Sequence, residues 1–145
     1  MFKHILIPTD GSDLSRKAIL YGVQLAKEAG AKVTGLTVAE PYRVATMDTV
    51  LIPIDEGDYE EQSRRLSERA MEQVKMAAEA AGVPCETIRE IHDQPYRAII
   101  DAAHALGCDL IVMASHGRRG ISALLLGSET VKVLTHSTIP VLVYR

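Results

Sequence analysis

Short apolar runs rich in β-branched residues alternate with longer amphipathic stretches along the whole chain, and this alternation limits the possible folds most strongly. The apolar runs predict strands over Lys3–Pro8, Lys32–Ala39, Cys85–His92, Leu110–Ser115 and Val141–Tyr144. The amphipathic stretches have helical spacing, with capping residues, glycine or proline at their ends. They predict helices from Ser12 or Asp13 to Gly30, over Asp58–Ala81, over Pro95–Leu106 and from about Ser128 to His136. Such alternation predicts a parallel sheet with right-handed crossovers and helices on both faces.

A doubly wound sheet of five strands is expected to have the order 3-2-1-4-5, with four helices. Sheets of this kind bind ligands outside the carboxyl ends of their strands, where the strand order reverses. In that order the loop after the first strand lies beside the loop after the fourth. A length of 145 residues suits one domain, and no linker or repeat divides the chain, so we predict a single α/β domain over residues 1–145.

Composition argues against several classes of function. With 16 Lys and Arg against 19 Asp and Glu, the formal charge is -3, so nucleic acid is not an expected partner. No apolar stretch reaches 18 residues and the first residues do not suit a signal peptide, so we expect no membrane association and a cytoplasmic location. Cys85 and Cys108 lack metal-ligand spacing, which predicts free buried thiols. His4, His92, His104 and His136 also lack it and are expected on strand or helix surfaces.

The loop after the first strand carries more polar residues than a helix start needs. It reads Pro8-Thr9-Asp10-Gly11-Ser12-Asp13, and one capping residue would account for only one of Asp10, Ser12 and Asp13. A carboxylate at the end of a strand beside the reversal point can accept hydrogen bonds from ribose hydroxyls. Asp10 is therefore a candidate nucleoside ligand.

The loop after the fourth strand has the residue types of a phosphate site. Gly117 and Gly120 would let backbone amides approach a ligand, and Gly127-Ser128 opens a helix whose free N–H groups favour an anion. Arg118 and Arg119 add positive charge, and Ser128 and Thr130 add hydroxyls. Each residue alone has an ordinary explanation as a solvated loop, a helix entry or an N-cap, but together they indicate phosphate binding. Neither GxxxxGK[ST] nor a GxGxxG after the first strand is present.

Taken together, these motifs resemble the universal stress protein family over essentially the whole chain. The resemblance rests on Pro8-Thr9-Asp10-Gly11-Ser12, on Ser115-His116-Gly117 followed after nine residues by Gly127-Ser128, and on the closing Ile139-Pro140-Val141-Leu142-Val143. Nucleotide-binding members of the family carry G-x2-G-x9-G-[ST]. Here Ala114 stands at the first glycine position, where it adds a methyl group and resists any positive φ.

The resemblance implies an adenine nucleotide α-hydrolase-like fold and a site for ATP, ADP or AMP, with Mg²⁺ or Mn²⁺ bridging phosphate oxygens. It also implies a homodimer through the last strand, at Val141, Leu142 and Val143, and a regulatory role in the stress response with protein partners not yet identified. The implied nucleotide-binding residues are Pro8, Thr9, Asp10, Val38, Met113, Ala114, Ser115, His116, Gly117, Arg118, Arg119, Gly127, Ser128, Glu129 and Thr130.

Two other functions stay open at this point. Ala114 could mark a lost site, which would make the chain a nucleotide-free interaction module. The phosphate loop could instead support weak ATP hydrolysis, with His116 as the best-placed catalytic candidate, although the sequence shows it no partner residue. Efficient catalysis is therefore not expected.

An apolar last strand at the edge of the sheet would expose unpaired backbone groups, and pairing with the same strand of a second copy would cover them.

Overall fold

The computed structural model describes residues 1–42, 55–117 and 125–145, which form five strands and four helices in the predicted alternation. Every predicted element is present, with ends that move by no more than two residues; α2, for example, begins at Glu56 instead of Asp58. In chain order the elements are β1 (His4–Pro8), α1 (Asp13–Ala29), β2 (Lys32–Ala39), α2 (Glu56–Ala81), β3 (Cys85–Ile91), α3 (Pro95–Leu106), β4 (Leu110–Ala114), α4 (Ser128–His136) and β5 (Val141–Tyr144).

The strands form one parallel sheet in the order β3-β2-β1-β4-β5, which confirms the predicted topology. β1 lies between β2 and β4, with Leu6 opposite Thr34 on one side and Ile111 on the other. The backbone N–H of Thr9 continues this pairing past the end of β1 by donating to the Leu36 carbonyl at 2.9 Å. The carboxyl ends of β1 and β4 are therefore neighbours.

The two faces of the sheet pack against different pairs of helices. Ile5 and Ile7 belong to the core under α1 and α2, whereas Leu6 belongs to the core under α3 and α4, and all three side chains are 0% exposed. Burying a side chain of this size stabilises the fold by about 1.5–3 kcal/mol. Strands with apolar residues on both faces need such double cover, which explains why β1 and β4 read as continuous apolar runs.

The ends of α1 follow the local sequence. Ser12 is the N-cap, and its Oγ accepts a hydrogen bond from the Ser15 N–H at 3.2 Å. Gly30 ends the helix in the left-handed conformation, with φ of 69°. Of the two predicted capping residues, Ser12 is therefore the N-cap and Asp13 is the first residue of α1.

The prediction that His4 lies on the surface is wrong. The residue is only 7% exposed, and its Nε2 lies 2.7 Å from Oγ1 of Thr34, which is two residues beyond its paired residue, Lys32, on the same face of the sheet. Burial, with a further contribution from Lys32, lowers the pKa of His4. His4 is therefore a neutral part of the core at pH 7, at the end of the sheet opposite the candidate site.

β5 lies at one edge of the sheet, as expected, and pairs only with β4 among the described strands. Its four residues are all half-buried, and Tyr21 of α1 packs against Tyr144 with ring centroids 5.6 Å apart.

The two cysteines are unpaired, Cys108 buried and Cys85 only partly so, which corrects the expectation that both are buried. Within the described ranges, no helix is both long enough and apolar enough to cross a membrane.

Candidate functional site

A cleft of about 420 Å³ lies where the carboxyl ends of β1, β2 and β4 meet the amino ends of α3 and α4. This is the position at which the strand order reverses, where open α/β sheets place their ligands. Of the predicted nucleotide-binding residues, those that line the cleft are Pro8, Thr9, Asp10, Val38, Met113, Ala114, His116, Gly117, Gly127, Ser128, Glu129 and Thr130. Ser115 is buried behind the wall, and Arg118 and Arg119 lie outside the described residues.

The carboxylate of Asp10 is held by the start of α1. Its Oδ1 accepts hydrogen bonds from the Ser12 N–H at 2.9 Å and from the Ser15 hydroxyl at 2.8 Å. Thr9 is fixed beside it, since its Oγ1 accepts from the Gly11 N–H at 3.2 Å. Asp10 is nevertheless exposed and lines the cleft, so a positioned carboxylate faces any ligand that binds there.

Gly117 packs against this carboxylate. A Cβ at Gly117 would overlap Oδ2 of Asp10 and lie 3.3 Å from its Cγ. Gly127 is also closely packed, though less so: a Cβ there would lie 3.1 Å from Cα of His116, and its own N–H donates to the Ser115 carbonyl at 2.7 Å. Contacts inside the protein therefore favour glycine at both motif positions, in addition to any approach of their amides to a ligand.

The amino end of α4 opens into the cleft without a side-chain cap. Gly127 is the N-cap and has no side chain to offer, and Ser128 is the first helical residue, so the alternative explanation of Ser128 as an N-cap is wrong. The first N–H groups of a helix have no partner within the helix, and the helix dipole adds partial positive charge there. Ser128 is exposed beside them. This arrangement can bind an anionic oxygen.

Thr130 and Glu129 contact the protein in ways that the sequence did not indicate. The Thr130 hydroxyl donates to the Ala114 carbonyl at 3.0 Å, so its proton is not available to a phosphate in this geometry. The Glu129 carboxylate accepts from the Tyr96 N–H at 2.9 Å and lies 3.4 Å from Nζ of Lys132. Thr130 therefore ties α4 to β4, and Glu129 supplies the cap that α3 lacks from its own Gln94.

Apolar side chains form another part of the cleft, and sequence reasoning found only some of them. Val38 and Met113 were predicted, but Leu36, Pro95 and Ile99 also line the cleft, together with the polar residues Ser15 and Glu40. Leu36 was identifiable, because it alternates with Val38 along β2 and faces the same side. Pro95 and Ile99 carry no local signal, since α3 follows β3 in the sequence and reaches the cleft only through the tertiary fold.

Two features bear on activity. Ala114 is the last residue of β4 and pairs with Tyr144, so its backbone is extended and needs no positive φ. Only its methyl group distinguishes it from the motif glycine.

Nδ1 of His116 lies 3.3 Å from Oγ of Ser115, and no carboxylate bonds to His116 among the described residues. The site thus offers binding groups but no base held by an acidic partner in the described part of the chain.

The sequence profile of the universal stress protein family matches residues 1–145. The chain belongs to the universal stress protein family. Universal stress protein YxiE of Bacillus subtilis is 37% identical over 100% of this chain and 100% of its own length. Universal stress protein MJ0531 of Methanocaldococcus jannaschii is 36% identical over 100% of this chain and 83% of its own length.

Solved structures agree with this membership. Protein MJ0577 of Methanocaldococcus jannaschii is 30% identical, with a TM-score of 0.78 over 99% of this chain and 96% of that one. A universal stress protein in complex with cAMP superposes with a TM-score of 0.71 at 24% identity, covering 99% of this chain and 97% of that one. An Archaeoglobus fulgidus member in complex with dAMP gives 0.71 at 16% identity, covering 100% and 98%. At these two identities the likeness concerns the fold.

Proposed function

We propose that this universal stress protein forms a single domain that binds ATP or a related adenine nucleotide, ADP or AMP, and acts as a dimeric regulatory protein in the stress response. One observation carries the binding proposal: the uncapped start of α4, the fixed carboxylate of Asp10 and an apolar wall all face one cleft of about 420 Å³. The cAMP and dAMP complexes of family members support the choice of an adenine nucleotide.

Each part of the nucleotide has a suitable partner in this cleft. The adenine would pack against Val38 and Met113, where burying a flat ring stabilises binding in proportion to the apolar area covered. The ribose hydroxyls would donate to Asp10. The phosphates would lie at the start of α4, where the free N–H groups and Ser128 can donate. Thr130 and Glu129 would act indirectly, by holding α4 in place.

A divalent ion fits this site only together with the nucleotide. Among the described residues, no group of three or more His, Cys, Asp or Glu side chains could hold a metal ion. Mg²⁺ or Mn²⁺ would therefore be bound mainly by phosphate oxygens, and Asp10 and Ser128 are among the residues of the cleft with oxygen atoms that could complete its coordination. Its contribution would be to neutralise phosphate charge.

Calorimetric titration with ATP, ADP, AMP and cAMP tests the binding proposal. Asp10→Asn should weaken nucleotide binding by about 10-fold or more, because hydrogen bonds to a charged group contribute about 1.5–3 kcal/mol. Asp13→Asn is the matched control, since Asp13 is an exposed residue of α1 outside the cleft, and it should leave affinity unchanged. Saturable heat for none of these nucleotides would reject the proposal and favour the nucleotide-free interaction module.

A second titration locates the phosphates. Gly127→Asp places a negative charge at the start of α4 and should weaken ATP binding more than AMP binding, whereas Gly57→Asp, in the first turn of α2, should change neither.

Single-turnover assays of ATP loss test the alternative that the protein is a weak ATPase. Hydrolysis that scales with enzyme concentration and is abolished in His116→Ala would establish the weak ATPase instead.

We further propose that homodimerisation covers the β5 edge at Val141, Leu142 and Val143. An unpaired parallel edge of apolar residues exposes backbone groups to pairing with another chain. Val143→Arg should convert the dimer to monomer in light scattering across a wide concentration range. Thr87→Arg, on the opposite edge strand β3, is the control and should leave the assembly intact. A wild-type protein that is monomeric throughout would contradict this part of the proposal.

A further inference from the structure

A second pocket, of about 430 Å³, lies on the other face of the sheet between the end of β2 and α2. It shares Thr9, Asp10, Val38 and Glu40 with the nucleotide cleft, so the two spaces meet at the ends of β1 and β2. The rest of its lining is separate and comes from β2 and α2, namely Thr37, Ala39, Tyr59, Gln62, Ser63, Leu66, Ser67 and Ala70.

A guanidinium lies directly behind two of these hydroxyls. Arg89 of β3 is paired with Thr37 of β2, which places both side chains on the α2 face of the sheet. Its Nε donates to Oγ of Ser67 and its Nη2 donates to Oγ of Ser63, both at 3.0 Å. In the described parts of the chain no carboxylate lies within ion-pair distance of Arg89. Within these parts, its guanidinium donates hydrogen bonds to neutral hydroxyls.

The geometry of these bonds determines what the serines can do next. Because each hydroxyl accepts from Arg89, its own proton must point elsewhere, and neither proton has an acceptor among the described residues. A hydroxyl that accepts from a guanidinium is polarised and becomes a stronger donor. Ser63 and Ser67 therefore present two activated donors to the pocket they line.

Thr37 adds an independent observation. It lines the same pocket, it is only 3% exposed, and its Oγ1 has no hydrogen-bond partner. Leaving a buried hydroxyl unpaired costs about 1–3 kcal/mol, so native structures rarely retain one without a reason. An acceptor atom bound in the pocket would supply the missing partner and would also receive the two serine protons.

We propose that this pocket binds a small molecule carrying an oxyanion, a carboxylate or a phosphate, with its charged group against Ser63, Ser67 and Thr37. Leu66 and Ala70 supply apolar surface for the rest of the molecule. Asp10 and Glu40 line only the part of the pocket that is shared with the nucleotide cleft, whereas the three hydroxyls line the part that is not shared. The three hydroxyls that would bind the oxyanion lie outside the nucleotide cleft, which the pocket meets at Thr9, Asp10, Val38 and Glu40.

Titration of ¹⁵N-labelled protein by NMR tests the proposal, with sodium acetate and sodium phosphate as probes at constant ionic strength. Acetamide, the neutral counterpart of acetate, is the control for charge. Saturable shifts of the Thr37, Ser63 and Ser67 amides are expected with acetate, which would indicate a carboxylate ligand, or with phosphate, which would indicate a phosphate ligand. Acetamide should produce none.

Variants then separate this pocket from nonspecific ion binding. The double variant Ser63→Ala, Ser67→Ala keeps the helix propensity of α2 high, and circular dichroism checks that it folds. It should weaken binding at least about 10-fold by removing two charge-assisted donors. Arg97→Gln removes an exposed arginine of α3 and should leave the affinity unchanged. Linear, unsaturable shifts, equal shifts with acetamide, or unaltered affinity in the double variant would each overturn the proposal.

Discussion

The contact between Gly117 and Asp10 makes a quantitative prediction that links the fold to the candidate site. In Gly117→Ala the new methyl group would overlap Oδ2 of Asp10, so the carboxylate must turn away. Turning it disrupts the bonds of Oδ1 with the Ser12 N–H at 2.9 Å and the Ser15 hydroxyl at 2.8 Å. Hydrogen bonds to a charged group contribute about 1.5–3 kcal/mol each. Asp10 is exposed, so water can replace part of the lost hydrogen bonding, and we expect the free energy of unfolding to fall by about 1–3 kcal/mol.

Thermal and urea unfolding measure this loss. An unfolding entropy of about 2.1 cal/mol/K per residue gives roughly 0.3 kcal/mol/K for a chain of this length, so Tm should fall by about 3–10 °C. In an Asp10→Ala background the overlapping atom is gone, and the same Gly117→Ala change should then cost less than about 0.5 kcal/mol.

A second glycine provides the matched control for this double-mutant cycle. A Cβ in Gly127→Ala would meet Cα of His116 at 3.1 Å and the Ser115 carbonyl at 3.3 Å, and neither contact involves Asp10. Its cost should therefore be the same with and without the Asp10 carboxylate. If Gly117→Ala were equally costly in both backgrounds, overlap with Asp10 would not be the reason that this position is glycine.

Three further predictions concern stability and reactivity. Burial lowers the pKa of His4 below its unfolded value of about 6.5, so the unfolded chain takes up the proton more readily and the free energy of unfolding should decrease as pH drops below about 6.5. Urea unfolding at pH 7.5 and pH 5 measures this decrease. It should be smaller in His4→Gln than in the wild type and unchanged in His136→Gln. Gly35→Ala would place a Cβ 2.9 Å from both methyl groups of Val74 and should cost about 1–3 kcal/mol in the same assay, and a neutral result would disprove tight packing there. Burial raises the pKa of Cys108 to about 11, so iodoacetamide at pH 8 should leave Cys108 unmodified in the folded protein, as read by mass spectrometry.

The fold could be predicted because each element carries its own local signal. Ser12 before α1, Gly30 after it and Pro95 at the start of α3 mark helix ends through rules that act within a few residues. The strict alternation of strands and helices and the right-handed crossovers then leave few topologies, and the order that places β1 beside β4 is one of the common ones.

The roles of individual site residues could not be predicted in the same way, because they depend on contacts between distant parts of the chain. Thr130 and Glu129 read as phosphate ligands from their place in the motif, yet their side chains bond to Ala114 and Tyr96. His4 read as a surface residue, and only the register of β1 against β2 shows that it is buried beside Thr34. The pocket under α2 has no sequence motif, since its polar lining is divided between β2 and α2 and the guanidinium behind it comes from β3.

The bond from the Tyr96 N–H to the Glu129 carboxylate also has a consequence for how the site opens. α3 has no side-chain cap from its own N-cap residue, Gln94, and receives one from the first turn of α4, more than thirty residues later in the chain. The Tyr96 N–H in the first turn of α3 therefore gains its acceptor only when α4 has docked, so we expect these two walls of the cleft to open together. In hydrogen exchange, the Tyr96 amide should become labile together with the amides of α4, and an open state with one wall intact should not accumulate.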